Sequence, residues 1–298
     1  MGRPRSDRSA RGRGEFLAMP YFMSSNTRLW FDTGGTGSEP VLLIMGMGVG
    51  GIGWLAQVLD FEQEHPVAWF DQRGIGRSEL GPRFCGISQM ARDARRLLDH
   101  LEWSSAHVVG ISMGGMIAQR FALDFRDRTR SLTLIATHAG GPTSAPPTPR
   151  ALWLMHTSQM VAPHKRWRYL RDLLFPSDYV ADPRHRPLLD MAASILDIQA
   201  PIATFMQQLG VVFSHQTRRR LAELAGLPTL IVRPGRDILI PPIESDRLHR
   251  RIPGSRLARF DNAGHGVTAQ CSELLNPLLL DHFRSAESQY HHGARISH

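Results

Sequence analysis

Short apolar runs alternate with longer amphipathic stretches along much of the chain. The runs cover residues 41–44, 67–70, 106–109, 132–135 and 229–232. A continuous apolar run of this length is typical of a strand buried on both faces of a parallel sheet. Amphipathic stretches that predict helices lie at 54–64, 88–101, 113–125 and 243–251. We therefore predict an α/β fold with a doubly wound, mostly parallel sheet and a functional site at the carboxyl ends of its strands.

The alternation is interrupted between about His138 and Arg220. This segment opens with a Gly- and Pro-rich loop at 140–149 and continues with apolar residues at helical spacing. Because the sheet pattern resumes at Leu227, an inserted helical cap fits the sequence better than a separate helical domain. The predicted organisation is a disordered basic arm at 1–19, a core at 20–137 and 221–284, a cap at 138–220 and a tail at 285–298.

A β-hairpin is predicted at the start of the core. The apolar residues 21–23 and 29–31 flank Ser24, Ser25 and Asn26, which are residues that favour turns. Another short strand is predicted at 256–260.

The formal net charge of +8 suggests a nucleic-acid partner at first sight. However, five arginines and two acidic residues in the first 15 positions account for +3 of it. The remaining positive charges are scattered, and no basic stripe alternates with aromatic residues. We therefore expect no nucleic-acid partner.

The length of the apolar runs and the number of cysteines indicate the cellular compartment and whether the chain crosses a membrane. No apolar run approaches the roughly 18 to 20 residues of a membrane span, and none near the N-terminus is typical of a secretory signal. Cys85 and Cys271 are too few for a disulfide framework or a zinc ribbon. We expect a cytoplasmic protein without a membrane span, a metal site or a cofactor.

The strongest candidate for chemistry is Ser112, in a G-x-S-x-G pattern between Gly110 and Gly114. A predicted strand precedes the pattern and a predicted helix follows it. A serine at such a tight strand-to-helix turn projects its hydroxyl above the sheet, and glycine on either side permits the turn. The following helix directs its N-terminal N–H groups at the site where negative charge develops. The sequence therefore predicts a nucleophilic serine.

A serine needs a base and a group that orients the base. Asp237 lies in a loop after the strand at 229–232, and His265 lies between Gly264 and Gly266 after the next strand. Taken singly, such an aspartate is more often a helix cap, and such a histidine is more often a surface or core residue. Together they satisfy order and loop placement, so we predict a Ser112–Asp237–His265 triad.

An oxyanion hole needs two backbone N–H donors. Met113 follows the nucleophile and supplies one donor, and Met47, in the loop after the first buried strand, is expected to supply the other. Gly46 keeps that backbone close to the substrate, and we expect Gly46, Trp54 and His138 to bind substrate. A phosphate cradle is disfavoured because the glycine-rich loop lacks the G-x-G-x-x-G register and the Lys-Ser/Thr of a P-loop.

These motifs together resemble the α/β-hydrolase superfamily, and the resemblance covers about residues 21–284. It rests on the glycine-rich loop after the first buried strand, the Asp71–Ser78 turn, the serine elbow, Asp237 and Gly264-His265. It implies an eight-stranded sheet with a helical cap and the roles given above. Two positions depart from the family pattern, since Met45 stands where a histidine is usual and Pro234 where a glycine is usual. The second departure leaves the register of the acid loop open.

The resemblance implies a serine hydrolase that cleaves a small, hydrophobic carboxylic ester or lactone through an acyl-enzyme. A carbon–carbon bond hydrolase of ring-cleavage products and a cofactor-free perhydrolase are the alternatives. A protein that only binds a small ligand is a third possibility that an intact triad disfavours. The sequence does not determine the acyl group or the oligomeric state.

Overall fold

The fold was described from a computed structural model, which covers residues 20–81, 85–196 and 200–296. The predicted arm at 1–19 lies outside the described residues. Within them, eight strands form one sheet in the order β1-β2-β4-β3-β5-β6-β7-β8. The strands are β1 Tyr21–Ser24, β2 Thr27–Gly34, β3 Val41–Ile44, β4 Val67–Phe70, β5 Ala106–Ile111, β6 Thr129–Ile135, β7 Thr229–Pro234 and β8 Arg256–Phe260.

Eleven α-helices accompany the sheet in the described segments. They are α1 Leu55–Phe61, α2 Ile87–His100, α3 Met113–Asp124, α4 Pro149–Met160, α5 Pro163–Leu174, α6 Ser177–Ala181, α7 Arg186–Leu196, α8 Ile202–Ser214, α9 Ile243–Arg251, α10 Val267–Gln270 and α11 Ser272–Ile296.

The strands from β3 to β8 are parallel, and among the described strands only β2 runs against them, because β1 pairs antiparallel with β2 and therefore runs in the same direction as the others. Ser25 and Asn26 form the two-residue turn of the β1–β2 hairpin with φ of 48° and 59°. Both values lie in the left-handed region that a type I′ turn requires. The predicted hairpin and the mostly parallel, eight-stranded sheet are confirmed.

Helices cover both faces of the sheet, as a doubly wound fold requires. On one face α2 and α3 bury side chains such as Leu97 and Phe121, and on the other α1 and α11 bury Phe61 and Phe283. Burying a side chain of this size contributes about 1.5–3 kcal/mol. Both layers therefore hold the sheet rigidly, and its carboxyl edge is a fixed platform for loops.

The five helices α4 to α8 follow β6 and precede β7, inside the stretch that the sequence assigns to a cap. A single bridge between Gly140 and Gln216 joins the beginning and end of this insertion. The cap helices lie over the carboxyl edge, because side chains from α4, α5, α7 and α8 line a cavity together with the loops after β3 and β5.

The end of the chain differs from its predicted form. Helix α11 continues to Ile296, so residues 285–296 are helical where the sequence suggested a tail. Ala286 and Glu287 are buried there, and Glu287 lies 2.6 Å from the Arg130 guanidinium on β6. Because this ion pair depends on a residue far away in the chain, the polar composition of the segment did not reveal it.

Candidate active site

Ser112 occupies the turn between β5 and α3, with φ of 55° and ψ of −123°. This φ is strained for a residue that carries a Cβ, and it is the kind of strain found at functional sites. The two flanking glycines are sterically required. A Cβ on Gly110 would lie 2.3 Å from the Gly114 carbonyl oxygen, and one on Gly114 would lie 2.0 Å from the Ile44 carbonyl oxygen. The predicted strand–turn–helix context of the serine is confirmed.

Asp237 and His265 are in contact on the loops after β7 and β8. The His265 Nδ1 lies 2.6 Å from Asp237 Oδ2, and both side chains are buried. The other carboxylate oxygen, Oδ1, accepts hydrogen bonds from the backbone N–H groups of Leu239 and Ile240 at 2.8 and 2.9 Å. The carboxylate is thus fixed, and it favours the tautomer with a proton on Nδ1, which leaves Nε2 as an acceptor.

Ser112 and His265 line the same cavity at the carboxyl edge of the sheet. No hydrogen bond joins the Ser112 hydroxyl to His265 among the described residues. Such catalytic bonds commonly tighten only when substrate is bound. The arrangement therefore brings together the three residues of the predicted triad: a strained serine, a buried histidine and the aspartate that orients it.

The loop after β3 passes close to the serine. A Cβ on Gly46 would lie 3.2 Å from the Ser112 Cβ, so a larger residue there would crowd the nucleophile. Met47 lines the cavity, and Met113 begins α3. Neither the Met47 nor the Met113 N–H donates a hydrogen bond to another described residue. Both donors thus remain available for a ligand, as an oxyanion hole requires.

Two side chains hold this loop from outside. Gln72 Nε2 donates to the Met45 carbonyl oxygen at 2.6 Å. From the cap, the Gln208 side chain accepts a hydrogen bond from the Gly48 N–H at 2.8 Å. Gln208 is buried, and its Nε2 has no partner among the described atoms. The cap therefore contacts the proposed oxyanion loop directly.

The cap also holds the loop that carries the base. The Gly266 N–H donates to the Leu174 carbonyl oxygen at the end of α5, at 2.9 Å. A Cβ on Gly264 would lie 2.5 Å from the same oxygen. The glycines beside His265 thus allow the cap to approach this loop closely.

The cavity has a volume of about 220 Å³. Its walls are mainly apolar and come from both the core loops and the cap, including Met155, Leu170, Leu173, Phe175, Met191 and Phe205. Ser158, Gln159 and Arg166 add polar groups from α4 and α5. Sequence reasoning identified several apolar cap residues but missed Arg166 and Gln208. A basic run at 164–168 was the only signal for Arg166, and it does not reveal which side chain faces inward.

Two predicted substrate-binding residues do not reach the cavity. Trp54 ends a 3-10 helix, Gly51–Trp54, which buries it completely against the core layer of α1 and α11. His138 is buried at the start of the cap segment, where its Nδ1 accepts a hydrogen bond from the Gly140 N–H at 2.9 Å. Burial lowers the pKa of His138. Both expectations are corrected, whereas the predicted Gly46 does line the cavity.

The Asp71–Ser78 turn has a structural role. Asp71 Oδ1 accepts a hydrogen bond from the Gly51 N–H at 2.8 Å, and Oδ2 lies 3.2 Å from the Arg77 guanidinium. Arg73 forms a buried ion pair with Asp93 at 2.6 Å. These contacts hold the end of the glycine-rich loop in place.

Neither a metal-binding cluster nor a membrane-spanning helix is found in the part of the chain that the structure describes. In residues 20–81, 85–196 and 200–296, no three His, Cys, Asp or Glu side chains are grouped so that they could hold a metal ion. Across the same residues, no helix combines the length and apolar character needed to traverse a bilayer.

Known proteins resemble this chain over most of its length. The sequence pattern of the alpha/beta hydrolase fold family matches residues 39–268. A protein of Azorhizobium caulinodans named as a carbamate hydrolase, RutD, is 30% identical over 88% of this chain and 97% of its own length. Rhodomycin D methylesterase DnrP of Streptomyces peucetius is 29% identical over 90% of this chain and 99% of its own. A thermophilic esterase from Thermogutta terrifontis has a solved structure with a TM-score of 0.74 and 25% identity, covering 90% of this chain and 97% of that one.

Proposed function

Since this chain belongs to the α/β-hydrolase family, we propose that it is a serine hydrolase that cleaves a small, apolar carboxylic ester or lactone through an acyl-enzyme. The 2.6 Å contact between buried Asp237 and His265 carries this proposal, because it orients a base toward the cavity that Ser112 lines. The methylesterase and esterase relatives support cleavage of an ester bond.

In the proposed reaction, His265 Nε2 takes the Ser112 hydroxyl proton while Oγ bonds to the substrate carbonyl carbon. The negative charge moves to the carbonyl oxygen, where the Met47 and Met113 N–H groups stabilise it. The intermediate collapses, the bond to the alcohol oxygen breaks, and His265 returns the proton to that oxygen. Water then gives a proton to His265 and attacks the acyl carbon. The bond between that carbon and Ser112 Oγ breaks, and His265 returns the proton to Oγ, which releases the acid and restores Ser112.

The central role of Ser112 is tested by labelling with a fluorophosphonate. The unmodified protein should be labelled, and Ser112→Ala should not. Ser194→Ala, which changes an exposed serine on α7, serves as the matched control and should label normally. Labelling that persists in Ser112→Ala would refute the assignment.

Turnover is tested with p-nitrophenyl acetate and butyrate. Hydrolysis that is lost in both Ser112→Ala and His265→Ala supports the proposal. The absence of turnover on every short ester would favour a protein that only binds its ligand. Adding a ring-cleavage dienoate and peroxide to the panel tests the two alternative reactions of this fold.

Carbamate hydrolysis is the second candidate, because the relative at 30% identity is named as a carbamate hydrolase. A carbamate carbonyl can be attacked by the same serine and stabilised by the same N–H donors. Comparing kcat/KM for an alkyl ester and a carbamate of the same alcohol distinguishes the two. A higher value for the carbamate would replace the ester as the proposed substrate.

A further inference from the structure

Arg166 introduces a positive charge into an otherwise apolar cavity. Among the described residues that line the cavity, it is the only arginine or lysine, and no aspartate or glutamate lines it. The cavity walls are otherwise formed by hydrophobic side chains, glycines and a few neutral polar groups. Arg166 is only partly buried, so water can solvate its charge until a ligand fills the cavity and displaces that water.

The protein itself supplies no counter-charge to Arg166 among the described residues. The Arg166 Nε donates to the Ser158 carbonyl oxygen at 2.9 Å, which fixes the base of the guanidinium between α5 and α4. No described carboxylate lies within 4.0 Å of it. Some arginines at or near the cap are paired, for example Arg171 with Asp172 and Arg184 with Asp182. Arg150 and Arg168 have no ion pair among the described residues either, but only Arg166 of these three lines the cavity. Arg166 thus combines a fixed Nε with terminal nitrogens that have no acidic partner in the segments that the structure describes.

The position of Arg166 relates this charge to the proposed chemistry. The nucleophile and the base reach the cavity from core loops, whereas Arg166 reaches it from the cap together with Ser158 and Gln159. A ligand that fills the cavity can therefore contact the reacting groups with one part and the guanidinium with another. A guanidinium binds a carboxylate through two parallel hydrogen bonds, which makes the carboxylate its best-matched partner.

We propose that the substrate carries a free carboxylate, held by Arg166, in addition to the ester or lactone carbonyl attacked at Ser112. This inference rests on the proposed function of the same cavity. The substrate class is then a half-ester of a dicarboxylic acid or a lactone with a carboxylate substituent. The apolar walls between the two polar regions accommodate the carbon chain that links them.

Matched p-nitrophenyl esters test this proposal. Mono-p-nitrophenyl succinate, glutarate and adipate are each compared with the neutral ester in which a methyl group replaces the carboxylate. We expect the protein to prefer one anionic ester over its neutral counterpart, mainly through a lower KM. Arg166→Gln should reduce kcat/KM for that anionic ester by about 10- to 100-fold, the range for a charged hydrogen bond. It should change the neutral ester by less than about 3-fold.

Two further variants sharpen the result. Arg166→Lys retains the charge without the two parallel bonds, so it should lie between the unmodified protein and Arg166→Gln. Arg168→Gln is the matched control, because Arg168 lies on the same helix, is exposed and does not line the cavity. Turnover of the neutral ester shows that each variant is folded. Raising the ionic strength should weaken only the preference for the anionic ester.

The failures of the two proposals can be distinguished. Turnover of neutral esters without a preference for any anionic ester, and without an effect of Arg166→Gln, would overturn the carboxylate site alone. If the protein hydrolyses neither series, the proposed function fails, and calorimetric titration with glutarate decides the carboxylate site. Binding that is lost in Arg166→Gln would support that site, and absence of binding to the unmodified protein would overturn it.

Discussion

The hydrogen bond between Gln208 of the cap and Gly48 of the glycine-rich loop predicts that a substitution in the cap lowers kcat. The Gln208 Oε1 accepts from the Gly48 N–H at 2.8 Å, and Gly48 directly follows Met47, the proposed oxyanion donor. Gly48 also has φ of 76°, a left-handed conformation that glycine adopts readily and few other residues do. Replacing Gln208 with methionine retains most of the side-chain volume and removes the acceptor.

The expected decrease in kcat follows from the free energy of the hydrogen bond that Gln208→Met removes. Leaving a partly buried N–H without a partner costs about 1–3 kcal/mol. If the loop relaxes to avoid this cost, the Met47 N–H moves away from the developing oxyanion, and complete loss of one donor costs about 10²- to 10³-fold in kcat. We expect Gln208→Met to lower kcat by about 10- to 100-fold and to change KM little, because the donor acts mainly in the transition state.

Steady-state kinetics with p-nitrophenyl butyrate measures this effect. Gln208→Glu restores an acceptor oxygen at the same position and should recover most of the lost kcat. Gln207→Met is the matched control, since Gln207 precedes Gln208 on the same helix, does not line the cavity and makes no hydrogen bond to the loop. A normal kcat in Gln208→Met, with only a lower thermal midpoint, would refute the reasoning and leave the bond a purely structural role.

Three other predictions follow from the site and its surroundings. Asp237→Asn should lower kcat by about 10³- to 10⁴-fold at neutral pH, because it disturbs the tautomer of His265, and a loss below 10-fold would contradict this role. Gly46→Ala should lower kcat about 10-fold, because the added Cβ would lie 3.2 Å from the Ser112 Cβ. An unchanged kcat would show that the loop can move to accommodate the methyl group, which would contradict this prediction. Burial lowers the pKa of His215 to about 3, so the stability that its neutral form contributes is complete above about pH 6.5 and is lost as the pH falls toward 3. The thermal midpoint should therefore fall between pH 7 and pH 5, and less steeply in His215→Gln; equal slopes would refute this.

Much of the core could be predicted because each of its functional elements has a local signature. The serine elbow carries its glycines within five residues. Asp237 follows an apolar run that is recognisable as a strand, and His265 follows the short segment 256–260 that is also predicted as a strand. In a parallel sheet, strands that end at the same edge bring such loops together without any further information. The contact between Asp237 and His265 is a consequence of that topology.

The cap and the ends of elements depend on contacts between distant residues, and these have no local signature. Whether Arg166 or Arg168 faces inward is decided by how α5 packs on α4. The sequence places Trp54 at the start of a helix beside the glycine-rich loop and predicts that it binds substrate, but the 3-10 helix that it ends directs its side chain into the core. The helical end of α11 is stabilised by Glu287, whose partner Arg130 lies on β6.

The cap is attached to the catalytic loops at two points, the Leu174 carbonyl oxygen on the histidine loop and Gln208 on the glycine-rich loop. Exchanging the cap with that of a relative, as a modular route to new specificity, would therefore also exchange the groups that align the core chemistry. A chimera that retains its own core but lacks these two contacts should have a lower kcat, even for a substrate that the new cap accommodates. In this protein, the cap thus both lines the cavity and supports the two loops on which the proposed chemistry depends.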